Sequence, residues 1–469
     1  MSQTEKKIIW TVLLIVESLI LCAQSFTLQI QVHNQPDNKV VLGAIKGGQI
    51  NFIDSALVIS GEVQFKLPGN LPAGIYRLLL GQTISAKVLN EPQQQLDFIF
   101  NKEDIVFQTD FKAPDDSLKI IKSEENKIWF GFLKKEKDYQ KKLKYAKAEL
   151  DGYQLKRDTL NRLPKAKEYN HLQKDRENFI NNIIAENQTL FASKLINMHH
   201  VPFLDGSLSQ PKRKEIFRAE YFDQMDFTEE ALINSTLYTE RVFNYFNGFA
   251  QRGLTKEQQD QEFKKALDII LVRCHQNKKV YEFILDYLVS GFEILKMDNL
   301  IAYIALNYSA NTCQTDNKTT LERRLGAQKM KVGDTVPDFT INNINVNPVR
   351  LSELLKENNL IIFWMSGCQH CRNMIPEIKK WLSQVHNIQF QVIAVSLDAS
   401  KDEWESGISE LGIEGWYNLS DLKVWDGKAV SNYNVYATPT MFIIDKNLKI
   451  ISKPANLNDL IDFASKSSK

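Results

Sequence analysis

The chain has 469 residues, of which 43% are apolar and 25% charged, with 58 basic side chains against 57 acidic ones. This length is too great for one ordinary hydrophobic core and predicts about three domains. The apolar fraction excludes a disordered chain. The formal net charge of +1 leaves no excess of positive charge for binding nucleic acid, so no nucleic-acid partner is expected.

Residues 1–24 have the layout of a secretory signal peptide, since two lysines precede an apolar run over residues 8–23. The run is short for a membrane span, which needs about 20 apolar residues, and Glu17 lies in its middle. We therefore expect cleavage, export to the periplasm or cell envelope, and no transmembrane span in the mature chain. An uncleaved anchor and a lipid attached to Cys22 are alternatives, although Leu21 is too large for the usual lipoprotein motif.

Residues 25–115 alternate apolar and polar side chains in short runs separated by turn residues. Examples of these runs are Phe26–Val32 and Glu62–Leu67, and Pro68-Gly69 marks one of the turns. Alternation with a period of two places the apolar side chains on one face of a strand. The pattern predicts an N-terminal antiparallel β-sandwich, in which no catalytic cluster is visible.

Residues 116–330 follow helical spacing instead. Long segments such as Phe132–Leu150 and Lys165–Asn197 contain neither proline nor glycine. Aromatic residues recur at helical spacing over 221–249, which is more typical of a core than of a ligand site. The sequence therefore predicts an all-α middle domain.

Two cysteines of this helical domain, Cys274 and Cys313, are candidates for a structural disulfide. If helices run roughly over 261–275, 279–296 and 299–309 with tight turns, the first and third are parallel. Both cysteines then fall near the same end of the bundle, so a bridge is geometrically feasible. Two buried free thiols are the alternative.

A C-terminal α/β domain is predicted over residues 331–469. It opens with the Gly- and Pro-marked segment 331–339, and the apolar run Leu360–Trp364 is typical of a buried central strand. A short break leads to the motif Cys368-Gln369-His370-Cys371, and the residues after it, 372–385, have a helical pattern.

Cysteines three residues apart on the first turn of a helix lie on one face, close enough to form a disulfide. Cys368 is at the helix start, where free N–H groups and the positive end of the helix dipole stabilise a thiolate and lower the thiol pKa. It is therefore the expected attacking sulfur, and the more enclosed Cys371 is the expected resolving thiol. Half a zinc site or a structural bridge are the alternatives. No second Cys or His pair has metal-ligand spacing, so neither a metal nor a cofactor is expected.

The surroundings of this motif resemble the thioredoxin superfamily. Trp364 stands four residues before Cys368, and Pro376 stands five residues after the second cysteine. The interval of 68 residues from Cys371 to Pro439 is longer than in plain thioredoxin and predicts an extra strand–helix insertion, as in the TlpA/ResA type. Two further segments look like that branch, Gly333–Phe339 and Val395–Asp398. The upstream regions more loosely resemble the β-rich and helical modules of secreted thioredoxin-like proteins of Bacteroidota.

The segment 436–445 resembles the cis-proline segment of that family. The resemblance implies a cis bond before Pro439, with this proline against the dithiol. It also implies that Thr438, Pro439 and Trp364 line the substrate site. The implied activity is thiol–disulfide exchange.

The chain also departs from its relatives. Ile362 stands where thioredoxin has a buried Asp, and Met374 stands where ResA-type proteins have a Glu, so neither carboxylate is there to move the proton of the resolving thiol. Glu377 lies further along the helix, where we expect it to face solvent. A cationic His370 would stabilise the Cys368 thiolate and raise the reduction potential. The alternative is that this imidazole is simply solvated.

The leading hypothesis is an exported thiol–disulfide oxidoreductase that acts on protein thiols and disulfides and receives electrons from a membrane or periplasmic donor. Analogy favours reduction, while oxidase and isomerase work stay open. One alternative is a non-catalytic scaffold whose thioredoxin-like domain only docks. A peroxiredoxin is disfavoured because Met365 stands where those enzymes keep a Thr, three residues before the reactive Cys.

Overall fold

The computed structural model describes residues 25–156, 159–308, 320–386 and 388–466. The predicted signal peptide, Cys22 and Cys313 lie outside the described residues. The described residues form two compact units that divide between Leu288 and Val289, and the predicted boundaries near residues 115 and 330 stay predictions. None of the described helices is long and apolar enough to cross a membrane.

The first unit begins with a β-rich region, as predicted. Its strands form two four-stranded sheets, in the orders β4-β1-β7-β8 and β3-β2-β5-β6. The elements are β1 (Ser25–His33), β2 (Lys39–Lys46), β3 (Gln49–Leu57), β4 (Glu62–Pro68), β5 (Gly74–Gly81), the short α1 (Ile84–Val88), β6 (Gln94–Phe100), β7 (Ile105–Asp110) and β8 (Lys119–Lys122).

The alternating pattern buries one face of these strands. In β4, for example, Val63, Phe65 and Leu67 are buried and the residues between them are exposed. One hydrophobic cluster contains side chains from both sheets, including Phe98 and Phe107. The pairing differs from the all-antiparallel expectation in one place, because β7 runs parallel to β1. The chain crosses from β6 in one sheet to β7 in the other, so no hairpin forces the two neighbours to be antiparallel.

The helical pattern of the next region is confirmed. Its elements are α2 (Glu124–Leu155), α3 (Thr159–Glu186), α4 (Phe191–Asn197), α5 (Gln210–Glu220), a 3-10 helix (Glu230–Asn234), α6 (Leu237–Asn247), α7 (Lys256–Cys274), α8 (Lys278–Ile294), α9 (Asp298–Asn307) and α10 (Thr320–Lys329). Cys274 is the last residue of α7 and is buried, which raises its pKa to about 12. Since Cys313 lies outside the described residues, the bridge between these cysteines stays a prediction.

A buried ion pair joins the two long helices α2 and α3. Arg176, only 3% exposed, donates from Nε and Nη2 to the two carboxylate oxygens of Glu136, at 2.8 and 2.7 Å. The same guanidinium donates to the carbonyl oxygen of His199 at 2.7 Å. Such two-pronged geometry compensates the desolvation of both charges.

Removal of one partner of this pair is expected to destabilise the first unit strongly. Arg176→Met leaves the Glu136 carboxylate buried without its cation, and we expect a loss of about 3–5 kcal/mol in the free energy of unfolding. Urea denaturation followed by far-UV circular dichroism measures it. The double variant Arg176→Met/Glu136→Leu should recover most of the loss. A single variant as stable as the wild type would contradict this account.

The second unit contains a seven-stranded mixed sheet in the order β10-β9-β13-β12-β11-β14-β15. Its strands are β9 (Thr340–Asn343), β10 (Pro348–Arg350), β11 (Asn359–Trp364), β12 (Gln391–Ser396), β13 (Tyr417–Ser420), β14 (Thr440–Ile444) and β15 (Ile450–Ser452). Its later helices are α11 (Leu351–Leu354), α12 (Gln369–Leu382), α13 (Lys401–Leu411), α14 (Lys428–Asn432) and α15 (Leu457–Lys466), with a 3-10 helix over Val424–Asp426.

Strand β11 is the central strand that the apolar run predicts, since all six of its residues are buried. It pairs with β12 in parallel and with β14 in antiparallel orientation. Its side chains alternate between two hydrophobic clusters: Ile361 and Phe363 enter one, and Ile362 and Trp364 enter the other. The longer interval before Pro439 is filled by α13 and β13, so the predicted insertion is present.

Candidate redox site

The site lies where β11 ends and α12 begins. Residues 365–367 make the turn between them, and Cys368 is the N-cap of α12. The Cys371 N–H donates to the Cys368 Sγ at 3.3 Å. The first backbone N–H groups of a helix have no partner within the helix. Here a sulfur takes the place that a Ser or Asp side-chain oxygen usually holds.

The electrostatics of Cys368 favour its thiolate. Partial burial alone would raise its pKa, but hydrogen bonds outweigh that effect. These involve the side chains of Thr438 and Cys371 and the backbone N–H groups of Cys371 and His370, and together they hold the pKa of Cys368 below its usual value. The Cys368 thiol is partly exposed, so a low-pKa sulfur is open to solvent.

Cys371 has the opposite environment. Its side chain is fully buried among the apolar residues of α12 and β11. Burial is the largest cause that raises its pKa to about 12, with the neighbouring Cys368 adding to the effect. The two sulfurs therefore differ in both accessibility and acidity. This asymmetry suits an attacking thiolate and a protected second thiol.

The cis-proline segment lies against the pair. The Thr438–Pro439 peptide bond is cis, and the Cys368 thiol donates to the Thr438 carbonyl oxygen at 3.3 Å. Thr438 and Pro439 stand just before β14. Since β14 pairs with β11, the sheet register brings together residues 70 positions apart in the chain.

The placement of Trp364 at the substrate site is wrong. Its side chain is 0% exposed and packs in the same cluster as Cys371. Side chains of β11 alternate between the two faces of the sheet, and the Trp364 side chain lies on the face that packs against α12. Helix α13 covers it so closely that a Cβ added to Gly407 would lie 2.9 Å from the indole ring. Trp364 is a core residue beneath the site and has no surface on which to hold a substrate.

Four other positions singled out in the sequence surround the pair. The His370 side chain is exposed, and its backbone N–H is the group that acts on Cys368. Ile362 is fully buried, and Met374 is half-buried in the same cluster. Glu377 is exposed, as expected. Burial, Cys368, the Met365 backbone and Thr438 are the influences on the Cys371 pKa, and none is a carboxylate.

Sequence reasoning missed residues that hold the turn before Cys368. The carboxylate of Asp398 accepts from Ser366 Oγ at 2.7 Å, and Arg372 Nε donates to the Ser366 carbonyl oxygen at 2.7 Å. The segment 395–398 resembles the TlpA/ResA branch in sequence, but this resemblance implies no role for the carboxylate. The available signal was an acidic residue two positions after the end of a strongly apolar strand.

The segment that leads to the cis-proline is also contacted by residues of α10 and the residue that follows it, which precede the sheet in the chain. Asn434 Nδ2 contacts the Met330 sulfur at 3.3 Å, and a Cβ on Gly326 of α10 would overlap the Asn434 amide. Tyr436 is half-buried, and burial is the main cause that raises its pKa. Helix α10 therefore supports this segment within the second unit.

The difference between the two thiols predicts a large difference in alkylation. Thiolates react and thiols do not, so the rate falls as the pH falls through each pKa. We expect Cys368 to react at least about a hundredfold faster than Cys371 at pH 7, with a midpoint below the free-thiol value of about 8.5. Timed iodoacetamide alkylation of the reduced protein with peptide mass spectrometry measures both. A Cys368 midpoint at or above that of a free thiol would contradict the assignment.

Within the described part of the chain, no group of three or more His, Cys, Asp or Glu side chains is placed to hold a metal ion.

Comparison with known proteins matches the same part of the chain. Residues 332–453 match the AhpC/TSA family. A thiol-disulfide oxidoreductase ResA of Bacillus cereus is 24% identical over 131 residues, which cover 27% of this chain and 70% of ResA. The thioredoxin-like protein YneN of Bacillus subtilis is 25% identical over 133 residues, covering 28% of this chain and 72% of that protein.

Solved structures give matches over the same length. The thioredoxin domain of a thiol-disulfide oxidoreductase from Bacteroides vulgatus is 24% identical in sequence. The match covers 30% of this chain and 99% of the chain in that structure, with a TM-score of 0.28. A domain of a possible thiol-disulfide isomerase from Cytophaga hutchinsonii is 27% identical in sequence. The match covers 29% of this chain and 93% of the chain in that structure, with a TM-score of 0.27. The matched family and the sequence relatives show that residues 332–453 are similar to the TlpA/ResA-like thiol–disulfide oxidoreductases of the thioredoxin superfamily.

Proposed function

We propose that the protein is an exported thiol–disulfide oxidoreductase that reduces protein disulfides through Cys368 and Cys371. The observation that carries the proposal is the asymmetry of the pair. A partly exposed sulfur with a lowered pKa caps α12 beside the cis-proline segment, and the second sulfur is buried one turn further on. The names of the relatives, ResA among them, support the same class of chemistry.

The reaction proceeds in two exchanges. The Cys368 thiolate attacks one sulfur of a substrate disulfide, so a mixed disulfide forms and the first substrate sulfur leaves as a thiolate. Cys371 then loses its proton to solvent or to the departing thiolate and attacks the Cys368 sulfur. The second substrate thiol leaves, and the protein holds a Cys368–Cys371 disulfide. Two electrons have moved from the protein to the substrate.

Burial of Cys371 fits its role as the resolving thiol. With a pKa of about 12 it stays protonated in the reduced protein and does not compete for substrate. Formation of the mixed disulfide removes the adjacent Cys368 thiolate, which is one cause of that high value. The resolving step is thereby favoured only after the first step is complete.

Thr438 and Pro439 form the proposed substrate-binding edge. They lie beside Cys368, and backbone groups at such an edge can pair with an extended peptide. Regeneration requires a dithiol reductant at the membrane or in the periplasm. Export rests on the apolar segment over residues 8–23, and a lipid on Cys22 is the alternative form of the exported chain.

The test is reduction of insulin disulfides by the full chain with dithiothreitol as electron donor. We expect precipitation of the insulin B chain well above the dithiothreitol background, and background alone for Cys368→Ser. Equal rates for the two proteins, together with no oxidation of a peptide dithiol by the oxidised chain, would refute the enzyme. That outcome would favour a scaffold that docks through its thioredoxin-like domain.

A further inference from the structure

A buried carboxylate lies under the turn that carries Cys368. Asp398 stands two residues after the end of β12 and is 2% exposed. Its Oδ1 accepts from the Ser366 N–H at 2.9 Å and from the Ser366 Oγ at 2.7 Å. Its Oδ2 accepts from the Ser396 Oγ at 2.7 Å. Buried carboxylates are costly unless hydrogen bonds compensate the lost hydration, and here three donors do so.

The other side of the same turn is also fixed. The Ser366 carbonyl oxygen accepts from Arg372 Nε at 2.7 Å, and Arg372 in turn pairs with Glu410 of α13 at 2.8 Å. A Cβ on Gly407 would lie 2.8 Å from the Ser366 Cβ, so α13 closes over the turn. The N–H, hydroxyl and carbonyl groups of Ser366 are thus all occupied.

This arrangement bears directly on the attacking sulfur. Ser366 stands two residues before Cys368, whose own N–H donates to the Met365 carbonyl oxygen at 3.1 Å. The turn therefore determines how the Cys368 backbone enters α12 and whether its sulfur meets the helix N–H groups. An N-cap acts only in this geometry, because its side chain must reach the N–H two or three residues on.

We propose that Asp398 is a positioning residue of the redox site, which holds the turn over residues 365–367 so that the Cys368 sulfur caps α12. The inference rests on the proposed function, since it assigns a role around the same dithiol. Asp398 acts through Ser366 and contacts neither sulfur. It differs from the carboxylates absent at Ile362 and Met374, because its two oxygens accept hydrogen bonds from Ser366 and Ser396.

Substitutions at Asp398 can distinguish an effect of its hydrogen bonds from an effect of its negative charge. In Asp398→Asn the amide oxygen still accepts both bonds from Ser366, and the amide nitrogen faces the Ser396 hydroxyl, which can accept. In Asp398→Ala, both Ser366 donors and the Ser396 hydroxyl lose their acceptor. Ser366→Ala removes one bond and leaves the backbone N–H contact. A positioning role predicts that loss of function follows the lost hydrogen bonds and does not follow the lost charge.

The experiment is the pH profile of Cys368 alkylation in the reduced full chain, resolved by peptide mass spectrometry, for Asp398→Asn, Asp398→Ala and Ser366→Ala. We expect the alkylation rate at pH 7 to fall at least about tenfold in Asp398→Ala, with the midpoint moved up toward a free thiol. The alkylation rate of Asp398→Asn should stay within about threefold of the wild-type rate, and the rate of Ser366→Ala should lie between those of the two Asp398 variants. Circular dichroism of each variant monitors folding, and Ser366→Ala carries the test if Asp398→Ala does not fold.

Two results would overturn the proposal. One is a wild-type profile in both Asp398→Ala and Ser366→Ala. The other is an Asn variant as impaired as the Ala variant, which would assign the effect to charge. Because alkylation requires no turnover, these outcomes differ from failure of the proposed function, in which the wild-type chain itself reduces no insulin.

Discussion

Replacement of Cys368 by serine is expected to reduce insulin-disulfide reduction to the uncatalysed rate, a loss of at least about a thousandfold. A serine hydroxyl in this position can accept the Cys371 N–H bond that the sulfur accepts now, so the helix start is preserved. The hydroxyl does not ionise at neutral pH, and without a sulfur it cannot form the mixed disulfide. The change therefore removes the chemistry and leaves the fold.

The matched control is a cysteine outside the site. Cys274 is buried at the end of α7, and burial raises its pKa to about 12. Cys274→Ala should therefore keep the wild-type rate. Steady-state insulin reduction for both variants, with circular dichroism as the check on folding, decides the matter. A Cys368→Ser protein that keeps a tenth or more of the wild-type rate would contradict the assignment of the attacking sulfur.

Replacement of Cys371 by serine has a different expected signature, because only the second exchange is lost. The Cys368 thiolate can still attack a disulfide once, so the variant should release about one equivalent of thiol and then stop. Turnover should fall by a factor comparable to that in Cys368→Ser, while a stable mixed disulfide accumulates on Cys368.

The measurement is a burst of thionitrobenzoate from Ellman's disulfide, followed by peptide mapping of the adduct. The double variant Cys368→Ser/Cys371→Ser corrects for the remaining thiols. Continued turnover by Cys371→Ser would show that Cys371 is not the resolving thiol, and an adduct found on another cysteine would show that Cys368 is not the attacking thiol.

The parts of the fold that the sequence predicts well are those with a local cause. The buried strand at Leu360–Trp364 follows from its uninterrupted apolar run, and the C-x-x-C helix follows from the break before it. Three helices were expected roughly over 261–275, 279–296 and 299–309, and α7, α8 and α9 occupy these places. Helical and strand periodicities are properties of neighbouring residues, so a single sequence reveals them.

Long-range features were less accessible. Nothing local to β7 shows that it will lie parallel to β1, because the pairing depends on the path of the intervening strands. The contact between Asp398 and Ser366 joins residues 32 positions apart and arises from the pairing of β11 with β12. The cis-proline segment was found only through a family resemblance.

Trp364 differs from these cases, because its predicted place at the substrate site follows from a motif resemblance and not from the geometry of its strand. The alternation of β11 already places Ile362 and Trp364 on one face of the sheet, and Ile362 was expected to be buried. The same alternation predicts a buried indole, as the structure has it. Local geometry was the better guide here than resemblance.

The direction of the reaction depends on how strongly the thiolate is stabilised. A lowered pKa of Cys368 stabilises the reduced protein relative to the disulfide and raises the reduction potential. The hydrogen bonds at the N-terminus of α12 act in this direction. A cationic His370 side chain would stabilise the Cys368 thiolate further, and on this prediction we expect the pair to be more oxidising than that of thioredoxin.

The most direct test of the account is an equilibrium titration of the full chain with mixtures of reduced and oxidised glutathione, quenched with acid and read by peptide mass spectrometry. We predict a single two-electron transition in which Cys368 and Cys371 become joined by a disulfide, with a midpoint above roughly −270 mV, the thioredoxin value. If no glutathione ratio produces that bridge, Cys368 and Cys371 are not a redox pair and the central claim is wrong.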